Sequence, residues 1–156
     1  MRRKLAKARR LTLAQWRDLM RAMVELARAR AALGRVDPKQ LASLSRETSQ
    51  GSSVERSGLP LVARVAWAVP AAASVVPWRS DCLVQALAAR RWLAAEGIAT
   101  ALHLGARRAD GRDTRRDREA RSSLEAHAWL TCGDRIVTGG DISGYVPFTP
   151  PASSSG

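Results

Sequence analysis

Apolar residues fall in a helical rhythm near the start of the chain: Leu13, Trp16, Leu19, Met20, Met23, Leu26, Ala27 and Leu33 lie mostly on one face. The run opens on Thr12-Leu-Ala-Gln15, a capping box in which the Thr hydroxyl accepts from an early helical amide while Gln15 reaches back, and Gly34 closes it. Asp37-Pro38 starts a second, short helix with Leu41 and Leu44 inward, since proline is tolerated in a first helical turn. Ser45 to Gly58, rich in Ser, Gly and charge, reads as a loop. Leu61 to Val69 is an apolar helix ended near Pro70. After a stretch that wanders to Pro77, Ser80 or Asp81 caps a helix from Cys82 to Glu96, with Gly97 at its end. The inward face of that helix takes Leu83, Ala86, Leu87, the stem of Arg90 and Leu93.

The pattern then changes to that of strands. Ile98 to Gly105 and Leu124 to Cys132 read as strands, Gly133-Asp134 as a hairpin turn, and Arg135 to Thr138 as a third strand. Between the first two lies a charged insertion, Arg107 to Ser123, with no apolar residue but alanine. Gly139-Gly140 leads into Asp141, and the chain ends in a Pro/Ser tail. Helices first and antiparallel strands after predict an α+β fold, N-terminal helices packed with a small antiparallel sheet. The expected division is a helical region and polar loop over 1–58, a core over 59–148 and a flexible tail over 149–156.

Composition narrows the picture only a little. The 156 residues carry 26 Lys and Arg against 14 Asp and Glu, a formal charge of +12, which favours an anionic partner without choosing among nucleic acid, membrane surface and acidic peptide. The abundance of Arg and Ala also fits a GC-rich coding bias. Aromatic residues make up 4% of the chain and no recognised nucleic-acid-binding motif is present, which weighs against nucleic acid. Two cysteines are too few for a disulfide framework, so a reducing, cytoplasmic setting is expected. Met1 to Arg10 is basic like a signal-peptide start, but no uninterrupted apolar stretch follows it. Leu59 to Trp78 is apolar apart from Arg64, yet Pro60, Pro70 and Pro77 divide it, so it reads as buried helix and turn rather than a membrane insertion.

The chemistry-bearing residues are Cys82, His127 and Asp141. A cysteine at the first turn of a helix faces unsatisfied amides and the positive end of the helix dipole, which favour thiolate and can donate to an oxyanion. His127 sits in Ala-His-Ala-Trp on a strand beside that helix, and Asp141 follows the next strand, fourteen residues on. Nucleophile, base and orienting acid in the order Cys, His, Asp make one of the arrangements known for convergent triads. Each alone has a plainer reading, as a small buried residue, a satisfied strand histidine and a turn aspartate. His103 competes as base but reads as an edge or surface residue, Asp134 reads as the turn residue, and Cys132 as a small interior residue. Cys82, His103, His127 and Cys132 lack the close spacing of a metal site, so no metal or other cofactor is called for.

Two segments carry a family resemblance. Trp78-Arg-Ser-Asp-Cys-Leu-Val-Gln-Ala-Leu87 resembles the cysteine segment of the transglutaminase-like peptidases of lasso peptide biosynthesis, and Glu125-Ala-His-Ala-Trp129 their histidine strand. Leu93 to Gly105 resembles their helix end and first strand, and the likeness runs from about Pro60 to Phe148. The resemblance implies a transglutaminase-like, papain-like cysteine peptidase core in which Cys82, His127 and Asp141 form the triad. It implies a standalone leader peptidase, a B protein, that removes the leader from a ribosomally made precursor. Its partners would be the precursor peptide, a separate leader-binding protein and a macrolactam cyclase. Trp16, Met20 and Met23 are read as core packing, with a partner face as the other option. Two other functions stay open at this level: acyl transfer to an amine on the same triad, and a basic, non-enzymatic nucleic-acid-binding protein.

Overall fold

A computed structural model describes residues 11–34, 58–108 and 124–148. The short helix expected from Asp37, the loop over 45–57, the insertion beyond Arg108 and the tail lie outside the described residues.

Three helices, α1 (Leu13–Leu33), α2 (Leu59–Ala73) and α3 (Cys82–Ala95), precede four strands, β1 (Ala101–Arg108), β2 (Leu124–Cys132), β3 (Arg135–Thr138) and β4 (Val146–Pro147). The strands pair antiparallel in the order β3-β2-β1-β4, which gives the expected α+β arrangement. The capping box at Thr12 and Gln15 is formed, and Asp81 is the cap of α3. The hairpin turn falls at Gly133-Asp134. Strand β4 had no signal in the pattern; it is two residues long and pairs Ala106 with Val146.

Helix α2 corrects one expectation. It continues three residues past Pro70 instead of ending there. Proline in a helix interior removes one hydrogen bond and crowds the carbonyl four residues back, and here packing holds the helix together: Val65, Ala68, Val69 and Ala72 are all fully buried.

Helix α3 is central. It packs on α1, α2 and β2, so burial extends around most of its circumference, to Val84, Ala86, Ala88, Ala89, Trp92 and Leu93 rather than along one stripe. Alanines on facing sides, Ala22 and Ala29 of α1 and Ala68 and Ala72 of α2, keep the helices close in a single core. The sheet contributes Leu102, Leu130, Cys132 and Val137 to that core.

The buried face of α1 also differs from the apolar stripe. Trp16 and Met20 are exposed, whereas Asp18 and Glu25 are buried. Each acid has a basic partner distant in the chain. Arg64 Nε donates to Asp18 Oδ2 at 2.9 Å with a second bond from its other nitrogen, and Glu25 accepts from Arg28 and Arg91. The Arg64 guanidinium holds the Asp18 carboxyl below its ordinary value. The pair therefore stabilises the fold above about pH 4, where an unfolded aspartate is ionised, and that gain is lost as pH falls through the lower folded value. Arg64→Ala should lower the unfolding free energy at pH 7 by roughly 2–3 kcal/mol, since it leaves a buried carboxylate without its partner. In urea titrations the gap from wild type should narrow as pH falls through the lowered folded pKa of Asp18.

Candidate active site

Cys82 is the first residue of α3 and is half-buried. Asp81 stands in the extended conformation before it, and its carboxylate accepts from the Val84 amide at 3.0 Å. The preceding segment is tied down by Gln85, whose Nε2 donates to the Ser80 carbonyl at 2.8 Å. The amides of Cys82 and Leu83 belong to the first turn, which has no carbonyl of its own helix to serve.

His127 lines the same cleft as Cys82. It lies on β2, opposite Gly105 in the β1 register. Strand β3 pairs with β2 only from Leu130 to Cys132, and the chain leaves the ladder at Gly139, whose carbonyl oxygen is 2.7 Å from His127 Nε2. A carbonyl can only accept, so Nε2 carries the proton and Nδ1 of the neutral ring is left as an acceptor. Gly139 is required there. Its φ is +115°, and a Cβ would come within 2.4 Å of the Trp129 Cβ.

Aromatic rings fix the imidazole from the other sides. Tyr145 lies 4.7 Å from it, centroid to centroid, and Trp129 stacks at 6.2 Å. The Tyr145 hydroxyl donates to Glu125 Oε1 at 2.9 Å, and Arg107 donates to the other oxygen at 2.8 Å while lying over the tyrosine ring. Arg107 and Tyr145 hold the Glu125 carboxyl below its usual value, while burial and the bond to Glu125 raise the Tyr145 phenol.

Cys82 and His127 line one cleft of about 530 Å3, set between α2, the head of α3 and β3. Ala66 and Pro70 form one wall, Ile136 to Gly140 the other, and Gln85 also lines the cleft. Its size lies within the range usual for ligand sites. The structure thus places Cys82 and His127 on the same cleft.

Asp141 is two residues beyond the carbonyl that holds His127. Its carboxylate accepts from the Ser143 amide at 2.9 Å, and that contact lowers its pKa. His103 lies on β1, an internal strand rather than an edge. Its Nε2 is 3.0 Å from Thr131 Oγ1, its ring stacks on Trp129, and burial lowers its pKa. Cys132 is buried on the core side, where desolvation pushes its thiol up. Among the described residues no group of three metal-ligating side chains converges, and no helix is long and apolar enough to cross a membrane.

Sequence reasoning missed the Gly139 carbonyl, Gln85, Thr138 and Tyr145 as parts of the site. The Gly139-Gly140 pair was the one available signal, and it marked a sharp turn without showing which way its carbonyl faced.

Cys82 at a helix head and His127 on an antiparallel sheet thus line one cleft of an α+β protein. The family model for the transglutaminase-like superfamily matches residues 5–153, and the chain belongs to that superfamily. Its members are usually enzymes, peptidases or transferases acting through cysteine. No curated protein and no solved structure matches the chain.

Proposed function

We propose that the protein is a cysteine peptidase that removes the leader from a ribosomally synthesised precursor, as in lasso peptide maturation. The observation that carries the reading is the single cleft lined by Cys82 and by His127, whose ring the Gly139 carbonyl holds in one tautomer. The lasso assignment rests on the resemblance of Trp78–Leu87 and Glu125–Trp129.

In this mechanism His127 Nδ1 takes the Cys82 proton as the sulfur attacks the scissile carbonyl. The first-turn amides of α3 donate hydrogen bonds to the developing oxyanion. The tetrahedral intermediate collapses to a thioester with the leader, and the imidazolium gives its proton to the departing amine of the core peptide. His127 then removes a proton from water, which displaces the thiol and leaves a leader carboxylate. The freed core amine would be the nucleophile that a separate macrolactam cyclase uses. A separate leader-binding protein would present the precursor, and the two unpaired cysteines suit a cytoplasmic, reducing setting.

The resemblance gives the third triad place to Asp141. In the geometry proposed here, Asp141 is a positioning residue that acts through the turn it shapes with Ser143, two residues past the carbonyl on His127. Asp141→Ala should therefore reduce kcat by on the order of ten- to a hundredfold, as for residues that orient a ligand or base, with KM little changed. A fall as deep as that in His127→Ala would instead give the carboxylate direct charge of the imidazole.

The reading is tested by incubating precursor peptide, leader-binding protein and the full chain, with mass spectrometry of the products. Hydrolysis yields a leader with a free carboxylate. A leader joined to an amine through a new amide would make the protein a transferase.

A further inference from the structure

Helix α1 turns an apolar stripe outward. Leu13, Trp16, Met20, Val24, Ala27 and Ala31 are all exposed and follow one another at steps of three or four residues, so they share one line roughly 27 Å long. Leu13 is 90% exposed, Met20 54%, and Trp16 and Val24 45% each. The helix packs on α2 and α3 by its other side, where Ala22, Leu26 and Ala29 belong to the core. A surface helix ordinarily keeps its apolar residues for the core and gives its charges to solvent. Here the two acids of α1, Asp18 and Glu25, are buried and paired, while large apolar side chains face out. A continuous exposed apolar patch of this kind marks a contact surface. None of the stripe residues lines the cleft of Cys82 and His127, so the surface is separate from the chemistry.

Charge around the stripe says what covers it. The exposed charged residues of α1 are Arg17, Arg28 and Arg30, all basic, and Arg17 and Arg28 border the stripe on one side. Arg2, Arg3, Lys4, Lys7, Arg9 and Arg10 precede it in the chain. Paired helices commonly set their register with charges of both signs beside the apolar seam. A border of one sign along a straight apolar line suits a planar anionic layer instead. Leucine, methionine and valine enter the acyl boundary, tryptophan sits at headgroup level, and arginine stems reach back to the phosphates. A cluster of basic residues beside such a helix adds attraction to anionic headgroups.

We propose that the outer face of α1 attaches the protein to the surface of an anionic phospholipid bilayer. The helix lies along the surface, its apolar stripe at the acyl boundary and its arginines at the headgroups. The cleft takes no part in the attachment, so the inference stands apart from the peptidase reading.

The test is co-sedimentation of the full-length protein with vesicles of equal parts phosphatidylglycerol and phosphatidylcholine. Wild type should bind them at least about tenfold more tightly than vesicles of phosphatidylcholine alone, and about 0.5 M sodium chloride should weaken the binding. Met20→Glu should weaken it at least about tenfold, and Val24→Glu, one turn along, should do the same. Leu124→Glu changes the net charge equally at an exposed position on the sheet, 67% exposed, and should stay within about twofold of wild type. Because all three side chains are exposed, each variant should keep its Tm within about 2 °C.

Unchanged vesicle binding in both Met20→Glu and Val24→Glu overturns the inference, since net charge alone then accounts for the attachment. An equal loss in Leu124→Glu overturns it for the same reason. Sedimentation velocity without lipid reads the competing occupant: a dimer that Met20→Glu dissociates gives the stripe to a second copy. A wild-type monomer that leaves the vesicles in solution also overturns the inference, and gives the stripe to an acidic protein helix.

Discussion

Cys82→Ala is expected to lose peptide cleavage by at least ~10⁴-fold, to the background of the assay, with the fold intact. Cys82 is half-buried at the first helical position, and the cap of α3 is supplied by Asp81, so the helix keeps its start without the sulfur. Alanine is the best helix former and leaves no unpaired polar group behind. No other thiol can replace the nucleophile among the described residues, because Cys132 is buried on the core side of the sheet beside the Ala99 carbonyl. His127→Ala should fall nearly as far, since nucleophile and base act as a unit and their effects do not add. Parallel cleavage time courses and circular dichroism of the two variants check both halves of this expectation. Residual cleavage by Cys82→Ala within about tenfold of wild type would remove the cysteine from the chemistry.

Gly139→Ala is expected to have the second-largest effect, and to act on both stability and rate. At φ +115° an alanine is strained whatever its surroundings. Its Cβ would also come 2.4 Å from the Trp129 Cβ, and that residue is 5% exposed and sits where β2 meets β3. The strand end has to move, and the carbonyl on His127 Nε2 moves with it. Backbone strain and overpacking together should cost about 3 kcal/mol of unfolding free energy. The rate should drop by on the order of a hundredfold even in conditions where the variant is folded, because a misplaced orienting group is felt at the base. Gly140, whose Cβ would meet nothing within 4 Å, is the control: its φ of +63° imposes strain without the clash. Gly140→Asn, which tolerates that region, should change the rate only a few-fold.

Local signals were the legible ones. A capping box needs only Thr12 and Gln15, and a hairpin turn only Gly133 and Asp134, so both could be read from neighbours in the chain. Cys82 at a helix head and His127 on the second strand were legible for the same reason, together with the motifs that resemble the superfamily to which the chain belongs. Contacts formed only on folding were not. Nothing in the sequence marks Asp18 and Glu25 for burial, since their partners Arg64 and Arg91 lie 46 and 66 residues away. Pro70 looked like a helix end because its local cost is visible in sequence and the packing that offsets it is not. The group holding His127 is a backbone carbonyl, which no residue letter encodes. Thr138 turns inward through a bulge, a one-residue change of register that the alternation of β3 does not reveal.

Coupling between Cys82 and His127 is most directly measured by the rate at which limiting iodoacetamide labels Cys82 at pH 7, in wild type and in His127→Ala. With the imidazole assisting the thiol, labelling in wild type should be about tenfold faster than in the variant and faster still than at buried Cys132. Equal Cys82 rates in the two proteins would contradict the pairing on which the proposed chemistry is built.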